Sequence, residues 1–532
     1  MKSECAEAIA DFSADFIDRE VFEREVIEAY RHGSADQGLP ADCAVAVSWV
    51  PAATGRLRDF SGIATDIPEL DAAKCVGCME CVTECPDTAI VAKVVPESRY
   101  RAMLESAKDS DDYVARQFVK TKKYYDIPAR KGIEGGYFFL VTDPSKCKGC
   151  GECVDACGKH DALRMITKTD DNLKQYAAAM ATYEALPETP DDYIQEKVLS
   201  DIMLKGSTHL YVGGAASCMG CGEATAIRMM LAATSFVHGA DSLGIVAATG
   251  CNTVFGSTYP YNPYAVPWTN SLFENAPAMA LGIRARWDAR GWQQKKLWVL
   301  GGDGAMLDIG FQSLSRMLMS GMDIKVMVLD TQVYSNTGGQ SSTSTFMAQD
   351  AKMSAYGKTQ HGKSERRKEL SQIAMMHPDV FVAQTTPAHI NHFYRAVMTA
   401  NAYPGPAIVN VYTPCQPEHG IGDDAASRQA KLAVDSRAFP LLVYDPRTGE
   451  RLAERLSLQG NPARKEDWYV TPKKERIDFV HFARTEGRFA KHFDGNGEPS
   501  PELLKAQEDR LQNWRLLQEL AGLRRTDKPK SR

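Results

Sequence analysis

The sequence predicts an α/β protein in which a parallel-sheet domain follows a smaller α+β domain rich in cysteine. Two observations lead to this fold class. Residues 71–170 contain eight cysteines in two similar groups, which is an internal repeat. Later in the chain, short apolar runs alternate with helical patterns, as do strands buried on both faces of a parallel sheet. These runs are LGIVAAT, KLWVLGG, IKVMVLD, VFVAQ and AIVNVYT.

The composition excludes several classes of function. Hydrophobic residues make up 44% and charged residues 24% of the 532 positions, which is ordinary for a globular protein of several domains. The net charge of −6 gives no reason to expect a nucleic acid or a membrane surface as partner. The chain contains no apolar run long enough for a membrane span, and its start does not resemble a secretion signal. Because many of the 14 cysteines lie in CxxC groups, we expect metal or iron–sulfur ligation in a reducing compartment, the cytoplasm.

Changes in sequence texture divide the chain into five segments. They are an N-terminal segment (1–65), a cysteine-rich domain (66–170) with a polar surface insertion at about 100–138, a linker (171–204), the parallel-sheet domain (205–430) and a C-terminal extension (431–532). The N-terminal segment contains a predicted helix, FIDREVFEREVIEAYRHG, and two isolated cysteines, Cys5 and Cys43, that we expect to be inert. The extension ends in a second helical pattern, which we expect to pack on a neighbouring domain.

The two cysteine groups have the spacing of a bacterial two-cluster ferredoxin. In such proteins three closely spaced thiolates bind one [4Fe–4S] cluster, and the fourth cysteine of each group binds the other cluster. We therefore assign one cluster to Cys75, Cys78, Cys81 and Cys157, and the other to Cys147, Cys150, Cys153 and Cys85. Structural zinc is the alternative, and it is disfavoured because zinc sites usually take paired CxxC groups. Gly158 stands where the first group has Pro86, which could loosen the turn after Cys157.

A glycine turn follows one predicted strand in KLWVLGGDGAMLDIG. Gly302 and Gly304 let backbone amides approach an anion closely, and Asp303 between them suits a Mg²⁺ ion that bridges a diphosphate. Such a turn alone is a weak signal, because surface turns often contain it. The next strand leads into LDTQVYSNTGGQSS, where Thr331 and Asn336 offer oxygen ligands. The two turns together are typical of the way in which thiamine diphosphate enzymes hold Mg²⁺.

Several stretches resemble pyruvate:ferredoxin (2-oxoacid:ferredoxin) oxidoreductases, in the order in which that family has them. They are CMGCGEAT, ATGCNTVFG, WTNSLFENAPAMALG, GGDGAMLDIG and LDTQVYSNTGGQSS. The resemblance covers roughly residues 65–450, and it is especially close to single-chain pyruvate enzymes at YSNTGGQSS. It implies that this chain corresponds to the C-terminal part of the family, in which a two-cluster ferredoxin domain precedes a thiamine diphosphate domain.

The resemblance also implies roles for individual residues. Mg²⁺ would be bound by Asp303, Thr331 and the backbone carbonyl of Val333. Glu223 would lie against the cofactor, and Asn336 near its reactive thiazolium carbon, as the two catalytic residues. The residues expected to line the cofactor are Glu223, Cys251, Gly302, Asp303, Gly304, Ala305, Thr331, Gln332, Val333, Tyr334, Ser335 and Asn336.

A third [4Fe–4S] cluster is implied by the same resemblance, with Cys218, Cys221, Cys251 and Cys415 as its ligands. Cys251 and Cys415 each follow an apolar run that we predict to be a strand. Because parallel strands present their carboxyl ends at the ligand-binding edge of such a sheet, both cysteines are expected at that edge. Taken singly, each cysteine could equally be a small buried apolar residue.

The implied activity is the oxidative decarboxylation of a 2-oxo acid, with pyruvate favoured, to acyl-CoA and CO2. Coenzyme A would be the co-substrate, and three clusters would pass the electrons to ferredoxin or flavodoxin. The alternatives are another 2-oxo acid, such as 2-oxoglutarate, and a non-catalytic electron-transfer subunit. Because few residues precede Cys75, we expect a separate partner subunit with the pyrimidine-binding and substrate-binding domains, in a higher oligomer.

Overall fold

The structure, a computed structural model, describes residues 18–39, 49–106, 112–355 and 361–524. Phe16 of the predicted N-terminal helix, and both Cys5 and Cys43, lie outside these residues. Within the predicted helix, Arg19–Phe22, a π-helical turn at Glu23–Ile27 and Glu28–Arg31 follow one another. The side chains of Phe22, Val26 and Ile27 are buried there and pack against Tyr259 and Leu57.

The cysteine-rich domain contains two small antiparallel sheets. Its strands are β1 (Asp66–Leu70), β2 (Ile90–Pro96), β3 (Phe118–Lys120), β4 (Gly136–Thr142) and β5 (Leu163–Thr167). Strand β1 pairs with β5, and β4 lies between β2 and β3. Each cysteine group wraps a loop that runs into a short helix, Glu80–Glu84 in one half and Glu152–Cys157 in the other. The sequence repeat is therefore also a structural repeat.

An eight-stranded sheet forms the centre of the second domain. Its strands are β6 (Leu243–Ala248), β7 (Trp268–Ser271), β8 (Lys296–Gly302), β9 (Ile324–Asp330), β10 (Phe381–Thr385), β11 (Ala407–Tyr412), β12 (Leu442–Tyr444) and β13 (Leu456–Ser457). Their order is β13-β12-β10-β11-β9-β8-β6-β7, and the six strands β6 to β11 are all parallel to one another. Every residue of β9 is buried, as expected for a strand covered on both faces. The predicted α/β class is confirmed, and all five predicted strands occur.

Helices cover both faces of the large sheet. The longer helices that follow residue 205 are Gly222–His238, Ala276–Ala289, Phe311–Leu318, Ile390–Ala402, Ala426–Asp435 and Pro501–Leu520, whereas Glu97–Ser106 and Asp170–Ala185 pack on β4 of the cysteine-rich domain. The other short helices are Ala35–Gly38, Asp112–Arg116, Ile127–Arg130, Leu199–Ile202, Cys251–Gly256, Leu370–Ala374, Gln416–His419, Leu452–Arg455 and Phe479–Arg484. No helix within the described residues is both long and apolar enough to cross a membrane.

The insertion, which was expected at the surface, and the linker both contribute side chains to the core. The insertion contributes β3 to the sheet and buries Tyr124, whose side chain is only 1% exposed. The linker buries Leu199 and Ile202 in the same core cluster. The charged residues around the apolar side chains of the insertion hide their pattern in the sequence, which is why a surface insertion was the simpler prediction.

The C-terminal extension also belongs to the sheet domain. Strand β12 pairs antiparallel with β10, and β13 continues the same sheet. A final hairpin consists of β14 (Tyr469–Val470) and β15 (Arg476–Ile477). The helix Pro501–Leu520 buries Trp514 among the apolar residues on one face of the sheet.

Buried polar contacts join the two domains. Arg228 of the helix Gly222–His238 donates to the carbonyl oxygens of Val82 and Thr83 at the end of the helix Glu80–Glu84. Glu152 accepts from the backbone N–H of Ser427 at 2.6 Å, which caps the helix Ala426–Asp435. These contacts fix the cysteine-rich domain against the large sheet.

Replacing Arg228 with methionine should destabilise the protein. The change removes a buried donor from the carbonyl oxygens of Val82 and Thr83. We expect a cost of about 3 kcal/mol, since two buried acceptors lose their donor, seen as a lower midpoint of thermal unfolding. Arg286→Met changes an exposed arginine and should leave the midpoint unchanged. Equal midpoints for Arg228→Met and the wild type would contradict this prediction.

Candidate functional site

The eight cysteines of the first domain line two separate cavities. One cavity, of about 340 Å³, is lined by Cys75, Cys78, Cys81 and Cys157. The other, of the same volume, is lined by Cys85, Cys147, Cys150 and Cys153. In each cavity three cysteines come from one group and the fourth from the other. We call these the first and the second cysteine site, and their members match the predicted assignment.

The spacing of the cysteines bears on which metal they could hold. In the part of the chain that the structure describes, no three His, Cys, Asp or Glu side chains surround a single ion position. Zinc would need sulfur atoms about 2.3 Å from one point. A [4Fe–4S] cluster instead takes each thiolate at a different corner, which suits a cavity with cysteines around its wall. The geometry therefore favours clusters over the zinc alternative.

Burial disfavours the thiolate forms of Cys75 and Cys147. It raises the pKa of Cys75 to about 11 and the pKa of Cys147 to about 12. Metal binding requires thiolates and supplies the positive charge that stabilises them. The cavities are thus poor places for free thiolates and good places for a cationic cluster core.

The remaining four cysteines line a third cavity, of about 510 Å³, at the carboxyl edge of the large sheet. Cys218 and Cys221 lie in the loop before the helix Gly222–His238. Cys251 begins the helix that follows β6, and Cys415 follows β11. Burial raises the pKa of Cys415 to about 12. We call this the third cysteine site.

Close backbone contacts bring the two sequence-distant halves of the third cysteine site together. Gly220 has a φ of +68°, and a Cβ built on it would lie 1.9 Å from the carbonyl oxygen of Asp423. The side chain of Gln416 donates to the Gly220 carbonyl oxygen. Gly222 donates from its backbone N–H to the Pro414 carbonyl oxygen at 3.3 Å. The loop that carries Cys221 therefore needs glycine to approach the segment that carries Cys415.

A fourth cavity, of about 360 Å³, adjoins the third cysteine site. Its lining includes the predicted residues Glu223, Cys251, Gly302, Asp303, Gly304, Ala305, Thr331, Val333, Tyr334, Ser335 and Asn336. Four further lining residues were not predicted, namely Thr249, Gly250, Phe273 and Thr337. All four lie within the family-like stretches ATGCNTVFG, WTNSLFENAPAMALG and LDTQVYSNTGGQSS, so a signal for them was present. We call this cavity the diphosphate cavity.

The three predicted Mg²⁺ ligands lie together on one side of this cavity. The hydroxyl oxygen of Thr331 is 3.1 Å from Oδ1 of Asp303 and 3.0 Å from the carbonyl oxygen of Val333. In an octahedral Mg²⁺ site with bonds of about 2.0–2.1 Å, neighbouring ligand oxygens lie about 2.9 Å apart. The second oxygen of Asp303 accepts from Ser342 and Ser344, which orients the carboxylate. This arrangement fits a magnesium ion.

The carboxyl group of Glu223 has an oxygen atom without a hydrogen-bond partner, which a bound cofactor could supply. Its carboxyl group is buried, and its Oε2 has no hydrogen-bond partner among the described residues. Burial, together with the charge of Asp303, raises the pKa of Glu223 to about 8. A buried polar atom without a partner is costly, so this atom indicates a polar group of a ligand in the cavity. The cavity beside Glu223 therefore fits a bound cofactor.

Gln332 is the exception among the predicted cofactor residues. Its side chain lies beneath the turn, where it donates to Asp330 and accepts from Arg488 Nη1 at 3.0 Å. It has a φ of +57°, a conformation that few residues other than glycine adopt. That bend separates Thr331 from Val333, and it directs the side chain between them away from the cavity. The expectation that Gln332 lines the cofactor is corrected accordingly.

His419 is a buried residue that sequence reasoning missed. Its Nε2 donates to the carbonyl oxygen of Thr331 at 2.8 Å, and its Nδ1 accepts from the backbone N–H of Cys415 at 3.4 Å. Burial holds the pKa of His419 well below its usual value, so the ring is neutral, as this pair of roles requires. We call the turn that carries the predicted Mg²⁺ ligands Thr331 and Val333 the magnesium turn. The His419 side chain thus connects the magnesium turn to a cysteine of the third site. Its position four residues after Cys415 was the available signal.

Gly220→Ala should disrupt the third cysteine site. The added methyl group would collide with the backbone of Asp423, so the loop that carries Cys218 and Cys221 must move. We expect a loss of about four iron atoms per chain, which is one cluster. Gly321→Ala is the matched control, because Gly321 has a similar φ of +71° but no atom within 4 Å of its Cβ position. Equal iron contents in the two variants would contradict the prediction.

Two family models match the chain. A model described as the thiamine pyrophosphate enzyme C-terminal TPP binding domain matches residues 248–411, and a 4Fe-4S dicluster domain matches residues 74–163. The first match spans β8 and β9 with both turns of the diphosphate cavity. The second spans both ferredoxin-like cysteine groups.

Two curated relatives match most of the chain. A pyruvate-flavodoxin oxidoreductase from Rhodospirillum rubrum is 28% identical over 94% of this chain and 45% of its own length. A pyruvate:ferredoxin oxidoreductase from Moorella thermoacetica is 28% identical over 84% of this chain and 42% of its own length. The chain therefore spans less than half the length of these relatives.

A solved structure gives a weaker likeness. It is a 2-oxoglutarate:ferredoxin oxidoreductase from Magnetococcus marinus with 2-oxoglutarate, coenzyme A and succinyl-CoA bound. The match has a TM-score of 0.33 and 20% identity, over 38% of this chain and 65% of that one, which is too low to bear on the fold. The two matched domains and the relatives agree: the chain carries a dicluster ferredoxin domain and a thiamine pyrophosphate-binding domain, and it is similar to pyruvate-flavodoxin and pyruvate:ferredoxin oxidoreductases.

Proposed function

We propose that this chain is the thiamine diphosphate and iron–sulfur part of an enzyme that oxidatively decarboxylates a 2-oxo acid, with pyruvate the favoured substrate. The products are acyl-CoA and CO2, and three [4Fe–4S] clusters pass the electrons to ferredoxin or flavodoxin. One observation carries this proposal: the diphosphate cavity and the third cysteine site share a wall. The shared residues are Glu223, Cys251, Thr331, Ser335 and Asn336.

The diphosphate cavity supports a specific division of labour. Asp303, Thr331 and the carbonyl oxygen of Val333 would hold Mg²⁺, and Gly302 leaves the space in which the diphosphate approaches the backbone. When bound, thiamine diphosphate supplies a nucleophilic carbon and an electron sink for decarboxylation. Glu223, whose Oε2 has no partner among the described residues, is placed to form a hydrogen bond with a group bound in the cavity.

The common wall explains why oxidation, rather than simple decarboxylation, is the proposed outcome. Asn336 lies on both cavities, and it is exposed where substrate would enter. Cys251 lies on the same wall. A cluster held by Cys251 would be adjacent to the cofactor, so electrons can leave before the carbon is protonated. Holding donor and acceptor side by side is the main contribution that a protein makes to such a transfer.

A separate subunit is proposed to complete the site. Thiamine enzymes need a pyrimidine-binding domain, and this chain spans less than half the length of its relatives. The rim of the two cavities carries exposed apolar side chains that a partner could cover. Among them are Val254, which lines the third cysteine site, and Leu272, which precedes Phe273 of the diphosphate cavity.

Cys218→Ser should remove one cluster of three. We expect about twelve iron atoms per wild-type chain, purified without oxygen, and about eight in the variant, because serine is a poor ligand for this cluster type. Decarboxylation should then become uncoupled from ferredoxin reduction. Met219→Leu changes the neighbouring side chain and should keep all three clusters. If the wild type has only eight iron atoms, the third site is wrongly assigned, and if it binds no thiamine, the chain is an electron carrier.

The two-subunit proposal is tested by comparing two preparations. The chain expressed alone should fail to reduce a viologen dye with pyruvate and coenzyme A. The complex purified from native cells through a tag on this chain should reduce it. Full activity of the isolated chain would exclude an obligatory partner. Replacing pyruvate with 2-oxoglutarate in the same assay decides between the two substrate classes.

A further inference from the structure

A strongly basic segment lies within the insertion of the ferredoxin-like domain. Residues 113–133, which we call the basic segment, contain six basic side chains and one acidic side chain, Asp126, in a chain with a net charge of −6. The basic residues are Arg116, Lys120, Lys122, Lys123, Arg130 and Lys131. Nothing in the proposed chemistry of the cysteine sites or of the diphosphate cavity uses this charge.

The basic segment is attached directly to the first cysteine site. Tyr124 packs against Gly77, between Cys75 and Cys78, so closely that a Cβ on Gly77 would lie 3.1 Å from the tyrosine ring. The hydroxyl group of Tyr124 donates to the buried Asp201 at 3.2 Å, and Lys123 forms an ion pair with the same carboxylate. The segment is therefore held in place beside the first cysteine site.

Part of its positive charge is free at the surface. Lys122, Arg130 and Lys131 are exposed, and none of them forms an ion pair with another described residue. Lys120 differs, because its Nζ lies 3.7 Å from the centre of the Tyr125 ring. Three unpaired cations on an ordered support can attract a negatively charged partner from solution.

The first cysteine site also reaches the surface at this point. Val76 lines the cavity of that site, yet 42% of its side chain is exposed. Ile127 of the basic segment is another exposed apolar residue, and Glu80 is the exposed acid next to Cys81. The second cysteine site is covered on one side by the sheet domain, because Lys148 donates to the carbonyl oxygen of Ser217 at 2.8 Å. Electrons that arrive at the first site would therefore be close to the protein surface.

We propose that the basic segment is the docking surface for a small acidic one-electron carrier protein, a flavodoxin or a ferredoxin. This inference rests on the proposed function, which supplies the electrons. Each encounter would move one electron to the carrier, so two encounters balance the two electrons released per 2-oxo acid. Small, transient interfaces steered by complementary charge are typical of electron-transfer partners. Val76 and Ile127 would form the apolar contact, and the lysines and arginines its charged rim.

The test is the double variant Lys122→Glu and Lys131→Glu in the complete complex. The affinity for oxidised flavodoxin is measured by titration calorimetry, and turnover is measured with flavodoxin and separately with a viologen that carries sulfonate groups and no net charge. At low ionic strength we expect the Kd and the KM for flavodoxin to rise about tenfold, and the difference to vanish in high salt. The rate with the neutral viologen should stay at the wild-type value.

Lys473→Glu is the matched control, because Lys473 is an exposed lysine of the C-terminal extension outside the ferredoxin-like domain. It should bind flavodoxin as the wild type does. A Kd within twofold of the wild type in the double variant would overturn the proposal. So would a loss of subunit assembly, which would mean that the segment binds another part of the enzyme. The calorimetry needs no turnover, so an enzyme that oxidises no 2-oxo acid would refute the proposed function while the docking surface is still tested.

Discussion

The carboxyl edge of the parallel sheet is the constraint on which the rest of the structure depends. Strand β6 leads to Cys251, β8 to Asp303, β9 to Thr331 and β11 to Cys415. Because these strands are parallel neighbours, residues far apart in sequence must emerge at the same edge. The order of the strands puts β8 and β9 next to each other, which brings Asp303 within hydrogen-bonding distance of Thr331. Neither cavity would exist if one of these strands ran in the other direction.

The support for this edge comes largely from the segment after residue 413. His419 joins the magnesium turn to Cys415, and Arg488 of the C-terminal extension holds the side chain of Gln332. The left-handed backbone at Gln332 costs about 1 kcal/mol or more, and the buried hydrogen bonds of its side chain offset that cost. The extension therefore maintains the shape of a turn whose ligands lie on its opposite side.

Sites defined by residue type and spacing could be predicted from the sequence. Roles that depend on contacts between residues distant in the sequence could not. The cysteine spacing and the two glycine-bearing turns identified both domains, because these chemistries need particular residues at particular intervals. Gln332 was misplaced because a single left-handed residue reverses the direction of a side chain, and no composition reveals it. The burial of Tyr124 was not predicted because the residue on which it packs, Gly77, lies far away in the sequence, within the first cysteine group. His419 required knowing that Thr331 lies beside it.

The same logic applies to the order of the three cysteine sites. Ser217 precedes Cys218 of the third site, and Lys148, which donates to Ser217, lies between Cys147 and Cys150 of the second. Lys148 also pairs with the buried Asp87 at 2.7 Å, so one cation ties the two cysteine loops together. A buried ion pair is a poor source of stability but a precise means of fixing register. Electron transfer depends steeply on distance, so register between the second and third sites is the property that this contact supplies. Under the proposed function, the first site, beside the exposed Val76, would be the outlet for electrons, and the basic segment lies next to it.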